Sequence, residues 1–424
     1  MSLDPPKSPL IRGTLNEVSC PPLIKAGLFH SRVRSAKVKA IALSDKIFSD
    51  RLTSNNMLTL ISFLKKVNDP RKKSGKRHPL WLILLLVVLG LMFGYLGYRD
   101  LESFAKANQK LIVKIFHLTS DRVPSYSTIR RAMMLIKTSD LVESFNEWAG
   151  QLSSPNDLTD WVSIDGKCLR STCKNSQNSY QDFVSIVSFF SQTSGLVLKL
   201  QNFQNKKSSE IGQVQELVRD CSLSGQVFTL DALHCQKETT TLITQSKNDY
   251  VITVKGNQKT LLKHAVKITE NEPPKSQSQS VDISHGRHIV RKVSVFDVPP
   301  LVSQSLEKLK WSKITSLIKV ERSGTRGEKD YEHLAYYISS LSVSAEIFAS
   351  KIRGHWSIEN QLHWVKDVFF KEDTWPRHNY TAVTNLSLLT TIALNFYRFL
   401  GFSSLKIGQR WLNYELEKLI IILT

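Results

Sequence analysis

Two short apolar runs that each end in an aspartate decide how this chain is read: Trp161-Val-Ser-Ile-Asp165-Gly166-Lys167 and Gln226-Val-Phe-Thr-Leu-Asp231-Ala232. Both are rich in β-branched and aromatic residues, the composition of a strand. In an α/β sheet, side chains just past strand ends face the crevice where ligands bind. Two carboxylates on neighbouring strands repel unless a cation bridges them, which makes a site for a hard metal ion natural. Gly166 adds close backbone approach, and Ala232 keeps the second turn small. The plainer reading is that strand-end aspartates open turns and cap helices. Spacing alone does not choose between the two.

Outward from these runs, Phe183–Ser191 and Leu196–Phe203 read as a hairpin about the turn Gln192-Thr-Ser-Gly195. Ser208–Cys221 reads as a helix with Ser208 or Ser209 at its cap, Gln236–Ser246 as another, and Tyr250–Val254 as a third apolar strand. Residues 270–285 are polar and rich in Pro, Ser and Gln, a loop by composition. Strands follow at 288–297, 311–322 and Leu334–Ser340, then a long helix from Ser344 to about Phe370 and another over 379–399. The order is that of an α/β protein: a ribonuclease-H-like mixed sheet spanning 155–400, with a β-rich insertion at about 256–333 and a helical tail over 401–424.

Upstream the pattern is helical from 55 to 150. Arg99–Asn108 and Gln109–His117 are short helices, and Ser125 or Ser127 caps a third that exposes Arg130 and Arg131. A turn followed by a basic, capped helix suits a helix-turn-helix in a DNA-binding domain. It suits an ordinary bundle with solvated arginines equally well. Leu80–Tyr98 holds no charge over 19 residues, long enough to cross a bilayer, and Lys72, Lys73, Lys76 and Arg77 precede it. Its three glycines and the absence of any other membrane-like feature favour a helix buried on all sides of a helical domain. Residues 1–54 have little apolar periodicity and read as a disordered arm.

The charge is far from balanced. Lys and Arg number 57 against 37 Asp and Glu, a net +20. Residues 1–80 hold 16 of the basic and 5 of the acidic side chains, so about half of the excess lies there. Such an excess points to a polyanionic partner, nucleic acid or an anionic surface. The five cysteines are scattered without a C-x-x-C pair, which argues against a disulfide framework or a zinc ribbon and fits a reducing cytoplasm.

A third acid comes from Arg353-Gly-His355-Trp-Ser-Ile-Glu359-Asn-Gln-Leu-His363-Trp-Val-Lys366-Asp367. On one continuous helix His355, Glu359, His363 and Lys366 share a face. Two imidazoles, a carboxylate and an ammonium make a poor solvated surface and a plausible wall for a reaction site. The histidines at this spacing also fit a zinc face, which would leave Asp165 and Asp231 unexplained. Asp367 is Glu359's competitor for the third acidic role. It is shorter and adjacent to Lys366.

The strings Ser163-Ile-Asp-Gly-Lys-Cys-Leu-Arg170, Thr229-Leu-Asp-Ala-Leu-His-Cys-Gln236, Val254-Lys-Gly-Asn-Gln258, Ser284-His-Gly-Arg287 and Arg353–Trp364 closely resemble DDE transposases of the H-repeat-associated (ISAs-type) insertion sequences. The resemblance runs in order from about 57 to 400 and includes the helical region, as that family's associated domain. It implies a ribonuclease-H-like catalytic domain that binds element ends and cuts and joins DNA strands with two Mg²⁺ or Mn²⁺ ions. Asp165 and Asp231 match the first two acidic positions and Glu359 the third. Lys366 matches the lysine of a wider Y-R-E-K signature, although Ile352 and His355 stand where that signature has Tyr and Arg. Lys255, Lys259 and Arg287 become candidates for phosphate contacts. The implied partners are double-stranded DNA, both terminal inverted repeats and target, and further copies of the chain. No membrane is implied. The alternative is a catalytically inactive or co-opted DNA-binding protein.

Residues 1–50 are expected to be dispensable, because a clean amphipathic pattern begins only at Met57. A chain started there should fold and bind DNA like the full chain. Loss of either, by circular dichroism or duplex binding, would show that the arm carries structure.

Overall fold

A computed structural model describes residues 60–118, 120–152, 160–173, 182–284, 287–326, 329–374 and 379–423. The expected arm over 1–54 lies outside the described residues. Its centre is a nine-stranded sheet in the order β3-β2-β1-β4-β5-β9-β8-β7-β6. The first five strands are β1 (Trp161–Cys168), β2 (Val184–Ser191), β3 (Val197–Gln204), β4 (Val227–Leu230) and β5 (Asp249–Val254). β1, β2 and β3 form an antiparallel meander, while β4 runs parallel to β1 and β5 parallel to β4. Each parallel step needs a crossover, supplied by α7 (Glu210–Arg219) before β4 and α8 (Lys237–Gln245) before β5.

The later strands extend the same sheet. β9 (Lys329–Ser339) pairs antiparallel with β5, and β8 (Ser316–Arg326), β7 (Arg287–Asp297) and β6 (Ser276–Ser284) follow in antiparallel order. Three expectations change here. The polar stretch taken for a loop contains β6, an outermost strand whose alternating serines and glutamines pair along β7. An edge strand can be polar on both faces, so it shows no apolar alternation. α9 (Lys259–Asn271) and α10 (Pro300–Lys308) also lie in the segment read as β-rich, and residues 311–315 precede β8.

The helices before the sheet are α1 (Leu60–Leu64), α2 (Leu80–Met92), α3 (Tyr98–Ala107), α4 (Gln109–Ile115), α5 (Tyr126–Leu135) and α6 (Thr138–Leu152). α11 (Ala345–Gly354) and α12 (Trp364–Val368) flank a π-helical turn at Glu359–His363, and α13 (Tyr380–Phe399), α14 (Leu405–Leu412) and α15 (Leu416–Leu423) follow. α2 covers the uncharged stretch only as far as Met92, and Lys73–Met92, which it ends, is the one segment among the described residues long and apolar enough to cross a membrane. Nearly every side chain on α2 is buried inside the protein, as its lack of a polar face requires. Its principal neighbour is α13, buried from Ala382 to Tyr397, and α5 and α6 pack on the same helix. α6 packs on β3, and the described residues of the helical region and the sheet belong to one compact unit.

Two asparagines close the exposed edge of β3. Asn395 on α13 accepts from Val197 N at 2.9 Å and donates to Val197 O at 2.8 Å. Asn146 on α6 does the same for Leu200 at 2.9 and 3.0 Å. A side-chain amide thus replaces the missing neighbour strand, satisfying backbone groups that burial would otherwise orphan. Asn395→Leu should cost about 2–4 kcal/mol, since it leaves a buried N–H and C=O unpaired. Urea denaturation checks this. A loss below about 1 kcal/mol would mean that the edge is satisfied by other means.

Candidate active site

The ladder between β1 and β4 sets the site. It ends at Ser163 opposite Thr229. Asp165 and Asp231 each stand two residues further along adjacent parallel strands, so the register puts them at the same level. β1 does not end at Asp165 as the sequence suggests. It continues to Cys168 against β2, with Asp165 opposite Ser188. The carboxylate opens toward the crevice because β4 stops at Leu230, leaving that side of β1 unpaired. Asp231 also plays the plainer role, accepting from Leu233 N at 3.0 Å and capping the short turn Ala232–His234.

The helix bearing the third acid is not continuous. α11 ends at Gly354, and a wide turn with Trp364 N bonded to Glu359 O occupies Glu359–His363. Such π turns recur at functional sites. The expected shared face divides accordingly. His363 Nδ1 lies 3.5 Å from Asp165 Oδ2, and His355 Nδ1 lies 2.9 Å from Thr229 Oγ1. Glu359 is exposed, close enough for its charge to act on Asp165. Lys366 turns inward instead. It is 3% exposed, donates to Ser387 Oγ at 2.7 Å and pairs with Glu372 at 3.2 Å. Asp367 is held by Lys167 at 2.7 Å.

A fourth carboxylate joins the group. Glu210 opens α7, where Ser209 caps the helix, and it packs directly over Gly166: a Cβ on that glycine would come within 2.5 Å of Glu210 Cδ. The glycine therefore admits the side chain of Glu210. His234, 1% exposed, approaches Glu210 Oε1 at 3.2 Å and Asp231 Oδ1 at 3.9 Å. No motif marks Glu210 in the sequence. Its one signal is an acid at the first position of the helix that follows the hairpin.

Burial of a carboxylate among other carboxylates is the dominant feature of the site. Burial, followed by the negative charges of Glu210, Asp231 and Glu359, pushes the Asp165 carboxyl up to about 7, against an opposing hydrogen bond from Gly166 N–H. Burial lowers His355 to about 4, and burial with the nearby Lys366 and Lys167 lowers His363 to about 3, so both imidazoles are neutral. Carboxylates crowded together and short of positive charge are the donor set of a hard dication. Among the described residues, no three His, Cys, Asp or Glu side chains surround a common point at coordinating distance.

The remaining candidates fall elsewhere. Lys255 and Lys259 are exposed beside β5, on a loop tied to the Asp231 turn by Asn257 Nδ2 to Ala232 O at 2.7 Å and Gln258 Nε2 to Cys235 O at 2.8 Å. Arg287 opens β7, and its side chain, with His285 and Gly286, lies outside the described residues. Arg130 and Arg131 are exposed on α5, far along the chain from these acids.

Because the folded-state value of Asp165 exceeds 3.8, its proton favours the folded form. This contribution is complete below about pH 4 and is lost as pH rises through about 7. Asp165→Asn should therefore stabilise the metal-free protein at pH 8 by on the order of 2 kcal/mol and leave it nearly unchanged at pH 4. Melting curves at the two pH values decide, and an equal effect at both would refute the raised carboxyl.

The sequence comparisons agree with this geometry. The family model described as "Transposase DDE domain" matches residues 159–396, and the one described as "DDE_Tnp_1-associated" matches residues 61–149. The "H repeat-associated putative transposase YhhI" of Escherichia coli (strain K12) is 31% identical over 342 residues, covering 79% of this chain and 89% of the relative. The "Putative transposase YncI" of Escherichia coli O157:H7 is 30% identical over 350 residues, covering 80% and 87%. With one family model spanning more than half of its length and relatives matched almost end to end, the chain belongs to the DDE transposases, of the H-repeat type.

Proposed function

We propose that this transposase binds the ends of its element and catalyses DNA strand cleavage and strand transfer, with Asp165, Asp231 and Glu359 as the metal-holding acids. The observation that carries the proposal is the β1–β4 register, which sets the two aspartates side by side with Glu359 charged nearby. The strand order β3-β2-β1-β4-β5, a meander followed by two parallel strands, supports a ribonuclease-H-like core over about 155–400. In this reading residues 55–150 form the helical DNA-binding region, and β6–β8 belong to the insertion.

The donor set suits two Mg²⁺ or Mn²⁺ ions, which when bound would activate a water or a DNA 3′-hydroxyl and stabilise the leaving oxygen. The chain's own groups position the acids. His363, neutral, sits against Asp165. His355, neutral, ties the turn before Glu359 to Thr229 at the end of β4. His234 lies between Asp231 and Glu210 on the α7 side. Lys167 holds Asp367 and leaves Glu359 as the free acid of that segment. A recess lined by Arg291, Arg322 and Arg353 beside the half-exposed Trp356 adjoins the helix and offers positive charge and an aromatic face to DNA. The substrate is double-stranded DNA, as terminal inverted repeat and as target, acted on in the cytoplasm by more than one copy of the chain.

Cleavage of a duplex carrying an element end tests this directly. Asp165→Asn, Asp231→Asn and Glu359→Gln should each lower strand cleavage by at least about a thousandfold, as expected when a charged group essential to the transition state is removed, with duplex binding retained. Asp367→Asn should keep substantial activity. An active Glu359→Gln protein beside an inactive Asp367→Asn protein would reassign the third acid. Binding without cleavage by the wild type in Mg²⁺ and Mn²⁺ would favour the co-opted DNA-binding alternative.

A further inference from the structure

Far along the chain from the acids, the helical region contains a recess of about 410 Å³ at the start of α5. Its walls include Arg71, Lys72, Arg77, Arg122 and Arg131, five cations, and no Asp or Glu. Ser74, His78, Ser125, the N-cap of α5, and Thr128 complete the polar lining. Lys72, Arg77, Arg122 and Arg131 are exposed around it and make no ion pair among the described residues.

Arg71 is different. It is 7% exposed, and Asp69 and the His78 carbonyl engage its Nε and Nη2: Nε to Asp69 Oδ1 at 2.8 Å, Nη2 to Asp69 Oδ2 at 2.9 Å and to His78 O at 2.7 Å. Its Nη1 is buried without a hydrogen-bond partner among the described residues. A guanidinium so placed has donors to spare and no acceptor, a costly state that an anion relieves. Asp69 orients it, much as a second residue orients a ligand-binding side chain. The start of a ten-residue helix adds its partial positive charge to the same side. Glu102, paired with Lys106, takes the Tyr126 N–H and is not among the walls. The local field is felt by His78, whose imidazole is held below its usual value by burial and then by Arg77 and Arg71.

We infer that this recess is a phosphate-binding site that seats the backbone of duplex DNA, with Arg71 as its oriented floor and Lys72, Arg77, Arg122 and Arg131 as its rim. The inference rests on the DNA-binding reading above but involves none of the acids. It divides the two arginines marked in the sequence: Arg131 lines the recess and Arg130 does not. A contact to phosphate carries no sequence information, so its loss should weaken all duplexes alike.

The full chain is titrated by fluorescence anisotropy with a 30-base-pair duplex carrying an element end and with a scrambled duplex, across a salt series. Arg77→Gln/Arg122→Gln should weaken both by similar factors, roughly tenfold, and flatten the log-affinity against log-salt slope by about 1–2. Lys308→Gln/Lys310→Gln, which removes the same charge elsewhere, should change the slope by less than half as much. Arg71→Lys, which keeps the charge but loses the fork, should weaken both duplexes with its melting temperature monitored alongside. An unchanged slope in the Arg77/Arg122 variant, or an equal change in the control, overturns the inference. Inorganic phosphate bound by the wild type and lost in the variant, with duplex affinity intact, would also overturn it by making the recess a small-anion site. A wild type that binds neither duplex would instead overturn the DNA-binding reading, and this inference with it.

Discussion

The parallel pairing of β1 with β4, ending at Ser163 and Thr229, is the constraint on which the rest depends. It brings two carboxylates level on adjacent strands and leaves them beyond the ladder, where neither neighbouring backbone nor bulk water fully compensates them. Two further acids and three histidines pack around that point. Glu210 enters over Gly166, and Glu359 is carried in by the π turn. Burial, and after it that crowding, raises the carboxyl of Asp165. A fold that stores like-charge repulsion at one point is poised to gain from a multivalent cation there.

The cations that could have neutralised these acids are instead engaged one layer away. Lys167 follows Asp165 by two residues, yet it points to Asp367 at 2.7 Å, with Asp373 at 3.6 Å and Glu372 at 3.9 Å. Lys366 is buried against α13 and pairs with Glu372, itself 1% exposed. Burial pulls the Lys366 ammonium below its usual range, while Glu372 opposes that shift. Buried ion pairs of this kind add little net stability over an apolar substitute, but removing one partner is costly. Their effect is geometric: they fasten the segment after Glu359 to the strand that carries Asp165. The lysine matched to the Y-R-E-K signature thus serves, in this chain, inside the core.

α13 links the two halves of the molecule. It has almost no exposed face, because α2, α5 and α6 cover it on one side and β3 lies on another. Its buried asparagines act as connectors. Asn395 pairs with the edge of β3, and Asn385 donates to Met133 O at 2.9 Å and Ile136 O at 3.0 Å, where α5 ends. The cation-lined recess at the other end of α5 is therefore built on the same framework as the sheet.

Local pattern sufficed for the elements whose burial is one-sided or complete. The hairpin of β2 and β3, the serine caps of α5 and α7, and the uncharged run of α2 were legible because each depends on residues within its own element. The two aspartates were legible because they interrupt strand patterns, and Glu359 because its neighbours imply a face. Other features depended on partners distant in the chain. β6 resembles a loop until β7 is beside it, Glu210 is an ordinary helix-start acid until Gly166 lies beneath it, and Lys366 appears to share the face of Glu359 until the π turn and α13 draw it inward. The sequence by itself determined the strands on either side of the two aspartates, the basic excess and which acids were candidates, since these are properties of residue type and spacing. Only the tertiary structure decided which charges meet, because distances between strands, and the burial that magnifies each charge, arise only from packing.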